Sequence, residues 1–285
     1  MRIIYSTLVD QKPLFELQGL IWTWTLTELA GVPLADLVVH LVNGGRPAYR
    51  EMLEGLGVKT VSVDPFGDGK YCNKVAQFGT DILRESDGVV FTDADVAILE
   101  DIGRTAGLDC VKGKIVDLPR PSLAVLTRLF KMAGLAKPPS LARPTFATEP
   151  TFQGNFNGGL YMVPTADLDS LHDTWAKWSL WCLGKADVLG KHHFHADQIG
   201  FCFALNELGL PVEELSVAYN CPTHLTDVDL GLLKERPKML HYHARIGDNG
   251  QVLPTGTPIL DDAIGEVNRL IESKRAELAA FRASL

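Results

Sequence analysis

Two aspartates, Asp93 and Asp95, directly follow the apolar run GVVFT in the segment DGVVFTDADVAIL (87–99). On an extended backbone, two carboxylates separated by one residue point the same way. Like charges at such a distance repel each other unless a cation lies between them or one carboxylate binds a proton. Mg²⁺ and Mn²⁺ favour oxygen ligands. The pair therefore indicates a cation site, and the alternative is an acidic turn that caps the next segment.

Two histidines occur near the other end of the chain in the sequence MLHYHA (239–244). His241 and His243 share a face if the segment 239–243 is a strand, because side chains alternate along a strand. An imidazole can complete a divalent site built mainly from oxygen ligands. The alternative for each histidine is a hydrogen-bonded core residue.

Polar residues suited to a hydroxyl-rich ligand follow in two places. The sequence Asn155-Phe156-Asn157-Gly158-Gly159 combines amides with paired glycines, which let a ligand approach the backbone closely. The pair Asp197-Gln198 begins an apolar helical segment. Simpler interpretations are a turn before a strand for the first segment and an acidic helix start for the second.

Other polar and aromatic clusters are interpreted as structural. A second D-x-D at 227–229 lacks a preceding apolar strand. Tryptophans at three-residue spacing within 175–181 are typical of helix packing. Three histidines within 192–195 predict a polar loop, with one of them as a candidate to line an acceptor cleft.

The elements that position these residues alternate between strand and helix over the first hundred residues. Apolar β-rich runs at 2–7, 37–42, 58–63 and 88–92 are separated by helical patterns. This order predicts an α/β fold with a mainly parallel central sheet and helices on both faces. Ligands of such sheets bind beyond the carboxyl ends of the strands, which is where the aspartates fall.

The predicted organisation is a single domain over 1–285. It comprises an N-terminal half (1–100), a Pro-rich and mobile segment (118–150), a second half (151–250) and a C-terminal helix (258–285).

Composition excludes several classes of protein. The 285 residues carry a net charge of −8 without a basic cluster, which argues against nucleic-acid binding. Five cysteines without a C-x-x-C pair favour a reduced, cytoplasmic location over a disulfide framework. The chain has no apolar run long enough for a transmembrane helix and no signal-peptide pattern at its start. The sequence leaves the oligomeric state open.

Taken in order, these motifs resemble the GT-A nucleotide-diphospho-sugar glycosyltransferases, and most nearly a family 8-like group. The resemblance extends from Ile3 to about Arg245, and it implies that 1–100 is a nucleotide- and metal-binding half and 151–250 an acceptor and donor-sugar half. It includes an N-terminal nucleotide strand, a Lys-bearing helix (71–77), the D-x-D strand, the Asn-x-Gly segment, the Asp-Gln pair and the C-terminal histidine.

The resemblance implies a metal and its ligands. Asp93 and Asp95 would bind Mn²⁺ or Mg²⁺ together with the diphosphate, and His241 would be the third ligand, with His243 as its alternate. The family follows its histidine with a Lys-Pro-Trp-like segment. This chain has Ala-Arg-Ile-Gly-Asp at 244–248, so that Arg245 would supply the positive charge for the diphosphate.

The resemblance also implies residues that contact the donor and acceptor. Ser6 and Thr7 would lie near the nucleoside, and Lys74 near the nucleotide or the sugar. The remaining positions are assigned to the sugar and the reacting carbon: Asn157, Gly158, Asp197 and Gln198. Asp197 and Gln198 are the candidate catalytic residues.

The resulting prediction is a retaining hexosyltransferase that moves a sugar from a UDP-sugar to a hydroxyl of an unknown carbohydrate, lipid or protein. One alternative is a haloacid-dehalogenase-like phosphatase with Asp93 as nucleophile, since that class also has D-x-D after an apolar strand. Another is a nucleotide-sugar-binding protein without catalysis. A sugar-nucleotide pyrophosphorylase would need a Gly-rich basic loop after the first strand, where this chain offers only Lys12.

Overall fold

A computed structural model describes residues 1–224 and 233–285 of the chain. Its strands are β1 (Ile3–Val9), β2 (Leu37–Val42), β3 (Lys59–Val63), β4 (Gly88–Thr92), β5 (Val96–Ile98), β6 (Val111–Gly113), β7 (Leu141–Ala142), β8 (Thr151–Phe152), β9 (Leu160–Pro164), β10 (Val212–Glu214), β11 (Cys221–Pro222) and β12 (Met239–His241). Its α-helices are α1 (Pro13–Glu28), α2 (Pro47–Leu56), α3 (Lys74–Phe78), α4 (Ile102–Ala106), α5 (Leu123–Met132), α6 (Leu168–Leu183), α7 (Ala186–Leu189), α8 (Ala196–Leu208), α9 (Pro258–Ser273) and α10 (Arg275–Ala283).

The chain divides into two compact units. The terminal unit comprises Arg2–Asp64, Val90–Gly107 and Ser216–Leu285, and the central unit comprises Pro65–Val89, Leu108–Leu215 and Met1. Each unit is assembled from separate stretches of sequence, and strand β4 contributes residues to both. The single-domain interpretation stays a prediction.

The terminal unit contains the strand order β4-β1-β2-β3. Strands β1, β2 and β3 run parallel, with Tyr5 opposite Leu37 and Val38 opposite Lys59. All six residues of β2 are buried, and five of them are aliphatic, which is typical of a parallel strand covered on both faces. Helix α1 provides the crossover between β1 and β2 and begins with Pro13, whose fixed φ suits the first helical position.

A second, three-stranded sheet in the terminal unit has the order β11-β12-β5. Strand β12 runs parallel to β11 and antiparallel to β5, with His241 opposite Val96. Because β5 begins directly after the D-x-D segment, this register brings the end of β12 next to that segment.

The central unit contains the strand order β10-β6-β9. Strand β6 runs parallel to β10 but antiparallel to β9, with Lys112 opposite Met162. The sheet is therefore mixed. It still agrees with the mainly parallel sheet that the sequence pattern predicts, since the pairs β1–β2, β2–β3 and β6–β10 are parallel and β6–β9 is antiparallel. The antiparallel direction of the β6–β9 pair depends on contacts between distant segments, so local apolar runs do not predict it.

Other elements differ from their predicted bounds. The histidine strand ends at His241 instead of residue 243. The predicted C-terminal helix is two helices, α9 and α10, separated by Lys274, whose ψ of 18° departs from helical values. The Pro-rich segment 118–150 contains α5 and the short strand β7, which pairs with β8.

Among the residues that the structure describes, no helix is both long enough and apolar enough to cross a membrane.

The close packing of α6 against α8 generates a stability prediction. A Cβ on Gly200 of α8 would lie 2.7 Å from the backbone N of Ser179 on α6. We therefore expect Gly200→Ala to lower the free energy of unfolding by about 1–3 kcal/mol, because the two helices must separate. Urea denaturation followed by circular dichroism measures this change.

Gly55 in helix α2 provides the matched control, since a Cβ there meets nothing within 4 Å. Gly55→Ala should raise the free energy of unfolding by roughly 0.5–1 kcal/mol, as expected when helical glycine becomes alanine. Equal effects of the two substitutions would contradict the packing explanation.

Candidate functional site

The D-x-D segment joins two buried strands in the terminal unit. All residues of β4 and β5 are buried, whereas the side chains of Asp93 and Asp95 are each 24% exposed. The carboxylates therefore emerge where an apolar strand ends. Nε2 of His241 lies 3.3 Å from Oδ1 of Asp95 and 3.9 Å from Oδ2 of Asp93.

His243 joins the same group by a different route from the one predicted. Strand β12 ends at His241, and His243 adopts a φ of +52°, so strand alternation does not place the two histidines on one face. The turn nevertheless brings their ring centroids within 3.8 Å. Nδ1 of His243 lies 3.6 Å from Oδ2 of Asp95. The two histidines thus lie together at Asp95 and are not alternatives in space.

The donor atoms of this cluster suit a divalent cation. One ligand atom each from Asp95, His241 and His243 lie within 4.8 Å of one another. Asn220 places its Oδ1 3.0 Å from Nδ1 of His241. Because that oxygen only accepts, Nδ1 of His241 donates to it. Nε2 is therefore the ring nitrogen that faces the carboxylates, and it would bind a cation once it has lost its proton. We call Asp95, His241 and His243 the metal group.

The charge state of Asp95 also suits metal binding. Burial raises the pKa of this carboxyl, but the adjacent His241 and His243 outweigh burial and hold the pKa well below its usual range. Asp95 is therefore an ionised carboxylate at neutral pH, which is the form that binds a cation. Asp93 lies beside the metal group, with its Oδ2 3.9 Å from Nε2 of His241.

The other predicted residues of the terminal unit have different surroundings. Ser6 and Thr7 have fully buried side chains. Oγ of Ser6 lies 3.1 Å from Nδ1 of His40, and the hydroxyl of Thr7 donates to the backbone O of Thr92 at 3.1 Å. Arg245 donates from Nη2 to the backbone O of residue 254 at 2.7 Å. The roles of these residues toward a nucleotide stay predictions.

Four predicted residues of the central unit meet in a second group, which we call the Lys74 group. Nζ of Lys74 donates to the backbone O of Gly158 at 3.0 Å and lies 4.0 Å from Oδ2 of Asp197. The backbone N–H of Gly158 donates to Oε1 of Gln198 at 3.1 Å. A Cβ on Gly158 would lie 3.0 Å from Nζ of Lys74, so the ammonium occupies the space that glycine leaves.

Asn157 is held by a buried ion pair that sequence reasoning missed. Its Nδ2 donates to Oδ2 of Asp117 at 2.9 Å, and its Oδ1 accepts from the N–H of Gly159 at 2.9 Å. The other oxygen of Asp117 accepts from Nζ of Lys114, whose side chain is almost completely buried. Both ends of the Asn157 amide are therefore oriented. The sequence signal for this ion pair was Lys114 within the otherwise apolar end of VKGKIVD (111–117), with Asp117 three residues later.

The remaining candidates lie outside these two groups. Burial, with nearby His192 and Lys74, lowers the pKa of His195 to about 4, so this imidazole is neutral at pH 7. Trp175 is fully buried and packs edge-on against Phe78. The second D-x-D, at 227–229, falls outside the described residues.

Comparison with solved structures identifies the fold. Mouse xyloside xylosyltransferase 1 matches with a TM-score of 0.50 and 15% identity, covering 85% of this chain and 98% of that one. An active-site mutant of LgtC matches with a TM-score of 0.55 and 11% identity, covering 92% and 94%. The glycosyltransferase GlyE of Streptococcus pneumoniae matches with a TM-score of 0.51 and 14% identity, covering 97% and 64%.

No known protein-family profile matches the sequence, and no curated protein matches it either. The structural matches nevertheless span most of the chain and are to glycosyltransferases. This protein therefore has the α/β fold of the GT-A glycosyltransferases, with a mixed central sheet. The predicted fold class is confirmed, and so is the likeness to family 8 structures.

The buried Lys114–Asp117 pair generates a second prediction. Lys114→Met leaves the Asp117 carboxylate buried without its cation and should lower the free energy of unfolding by about 3–5 kcal/mol. Urea denaturation measures the loss.

The double variant Lys114→Met/Asp117→Asn removes both charges and serves as the control. It should lose less than the sum of the two single variants, with a coupling energy of about 0.5–3 kcal/mol. Strict additivity would show that the pair does not act as a unit.

Proposed function

We propose that this protein is a metal-dependent glycosyltransferase that moves a sugar from a nucleotide-diphosphate donor, with UDP-sugar as the first candidate, to an acceptor hydroxyl. The observation that carries the proposal is the metal group at the carboxyl end of a buried strand in a GT-A fold. The matched structures include a xylosyltransferase and the glycosyltransferase GlyE, which supports the same class of reaction.

The metal group and Asp93 would hold Mn²⁺ or Mg²⁺ together with the donor diphosphate. When bound, a divalent cation supplies Lewis-acid stabilisation of the negative charge that grows on the departing diphosphate. Without positive charge nearby, a diphosphate would be repelled by the carboxylates and by a chain of net charge −8. Arg245, four residues beyond the end of β12, would add a fixed positive charge.

In the central unit, the Lys74 group and Asn157 have the hydrogen-bonding capacity that a sugar requires. Gln198 accepts from the N–H of Gly158 with Oε1, which leaves its Nε2 to donate to the substrate near the reacting carbon. Asp197 and Asn157 would bind sugar hydroxyls, and Lys74 would contact the nucleotide or the sugar. Ser6 and Thr7 are assigned to the nucleoside strand.

The proposed reaction exchanges one bond for another at the anomeric carbon. The bond to the diphosphate oxygen breaks with both electrons leaving on that oxygen, and the acceptor oxygen forms the new bond. The acceptor proton leaves with the diphosphate or enters solvent. The transition state has oxocarbenium character, so that the carboxylate of Asp197 would stabilise positive charge there, with Gln198 near the reacting carbon. The proposed outcome is retention of configuration by a hexosyltransferase.

A panel of nucleotide sugars tests the proposal. The full chain is incubated with each donor and Mn²⁺ or Mg²⁺, with simple glycosides as acceptors, and released nucleoside diphosphate and glycosylated product are measured. Metal-dependent product formation supports the proposal. Donor binding by thermal shift without any release would indicate a binding protein instead. Phosphate released from phosphoesters would indicate a phosphatase with Asp93 as nucleophile.

Asp95→Ala provides the sharpest variant. We expect turnover to fall by about 10²–10³-fold or more, because the carboxylate between both histidines is lost and the diphosphate charge is no longer stabilised. The fold should persist, since this side chain is 24% exposed and lies at a strand end.

Asp187→Ala, at an exposed position of α7 in the central unit, is the matched control and should retain full activity. Circular dichroism and thermal melting verify that both variants are folded. Unchanged metal-dependent turnover in Asp95→Ala would refute the assignment.

A further inference from the structure

We propose that His243 binds the metal jointly with His241 and Asp95, and that this nitrogen-rich set makes the centre selective for transition-metal ions over Mg²⁺. The inference deepens the proposed function and rests on its metal centre. It replaces a choice between two histidines with a set of two imidazoles and one carboxylate, all within 4.8 Å of one another.

The strained backbone of His243 indicates that its side chain is needed at this place in the site. A φ of +52° is uncommon for a residue other than glycine and costs free energy, of order 1–2 kcal/mol. The conformation is secured by buried Gln18, whose Nε2 donates to the backbone O of His243 at 2.8 Å. The chain thus holds a strained backbone at the residue whose ring faces Asp95.

The ring of His243 is fixed on both sides. It lies 3.8 Å from the ring of His241 and meets the ring of His224 edge-on at 4.4 Å between centroids. Its Nδ1 is 3.6 Å from Asp95, and its Nε2 is buried without a hydrogen-bond partner among residues 1–224 and 233–285. An imidazole nitrogen buried in this way is stabilised when it donates its lone pair to a cation.

The kinds of ligand atom in the metal group determine which cation binds more tightly, because Mg²⁺ and transition metals prefer different ligands. Mg²⁺ binds oxygen almost exclusively and keeps several waters. Imidazole suits ions such as Co²⁺ and Zn²⁺, and affinity for such sites rises from Mn²⁺ toward the later ions. Two imidazoles beside Asp95 and Asp93 therefore favour Mn²⁺ and Co²⁺ over Mg²⁺, whereas one imidazole with the same two carboxylates discriminates less.

The main competing role for His243 is a hydrogen bond to Asp95 without contact to the metal. In that case only one imidazole would bind the cation, and removal of His243 would weaken all cations by similar factors. The two roles therefore differ in the number of bound nitrogens and in the change of metal preference.

Isothermal titration of the full chain with Co²⁺ and with Mg²⁺ measures that preference without any nucleotide. Asparagine tolerates a positive φ, so His243→Asn removes the imidazole while keeping the backbone conformation. We expect His243→Asn to weaken Co²⁺ about tenfold to 100-fold and Mg²⁺ by less than about threefold. His172→Asn, at a partly exposed histidine of the central unit, is the control and should change neither affinity.

Pulsed electron paramagnetic resonance of the Mn²⁺-loaded chain counts the bound nitrogens directly. Two ¹⁴N imidazole couplings in the unsubstituted protein, with one remaining in His243→Asn, support the proposal. A single coupling in the unsubstituted protein overturns it even if the variant fails to fold, and so does an unchanged ratio of Co²⁺ to Mg²⁺ affinity in a folded variant.

These measurements separate this inference from the proposed function. If two nitrogens bind the cation but no nucleotide sugar reacts, the metal assignment stands and the glycosyltransferase proposal fails. If product forms while the preference for Co²⁺ is absent, the transferase proposal stands and the role of His243 is wrong.

Discussion

The antiparallel pairing of β12 with β5 is the constraint on which the candidate site depends. These strands are more than a hundred residues apart in sequence, and their register sets His241 opposite Val96. Tyr242 extends the pairing, since its N–H donates to the backbone O of Asp95 at 3.1 Å. A shift of this register by one residue would turn the imidazole of His241 away from the carboxylates, because side chains alternate along a strand.

The metal group and the buried Lys114–Asp117 pair differ in how their charged side chains are placed. In the metal group, ionisable side chains gather at partly exposed strand ends, where a cation can reach them. In the central unit, Lys114 and Asp117 neutralise each other inside the protein and orient the Asn157 amide. A buried ion pair contributes little net stability, but its loss is costly, so it is well suited to holding one side chain in one orientation.

Much of this arrangement follows from local sequence. The apolar run before Asp93 predicts β4 correctly, because a buried parallel strand needs continuous apolar residues and its end marks where a carboxylate can reach solvent. The fold class was predictable for the same reason. The antiparallel β6–β9 pair was not, since strand direction depends on contacts between distant segments.

The arrangement of the side chains could be predicted less well from the sequence than the strands could. The meeting of His241 and His243 depends on a positive φ that alternation in a strand does not anticipate. Similarly, nothing local pairs Lys114 with Asn157 through Asp117, and the full burial of Ser6 and Thr7 depends on neighbours such as His40 and Thr92.

The partner of His241 has a consequence for how tightly a cation is held. The neutral amide of Asn220 accepts a hydrogen bond from Nδ1 of His241. A carboxylate in its place would make the imidazole more basic and strengthen its bond to a metal. A neutral acceptor fixes the direction of the ring without that reinforcement. In the proposed transferase, such a centre would suit an ion that binds and leaves together with the donor's phosphate, rather than one retained permanently.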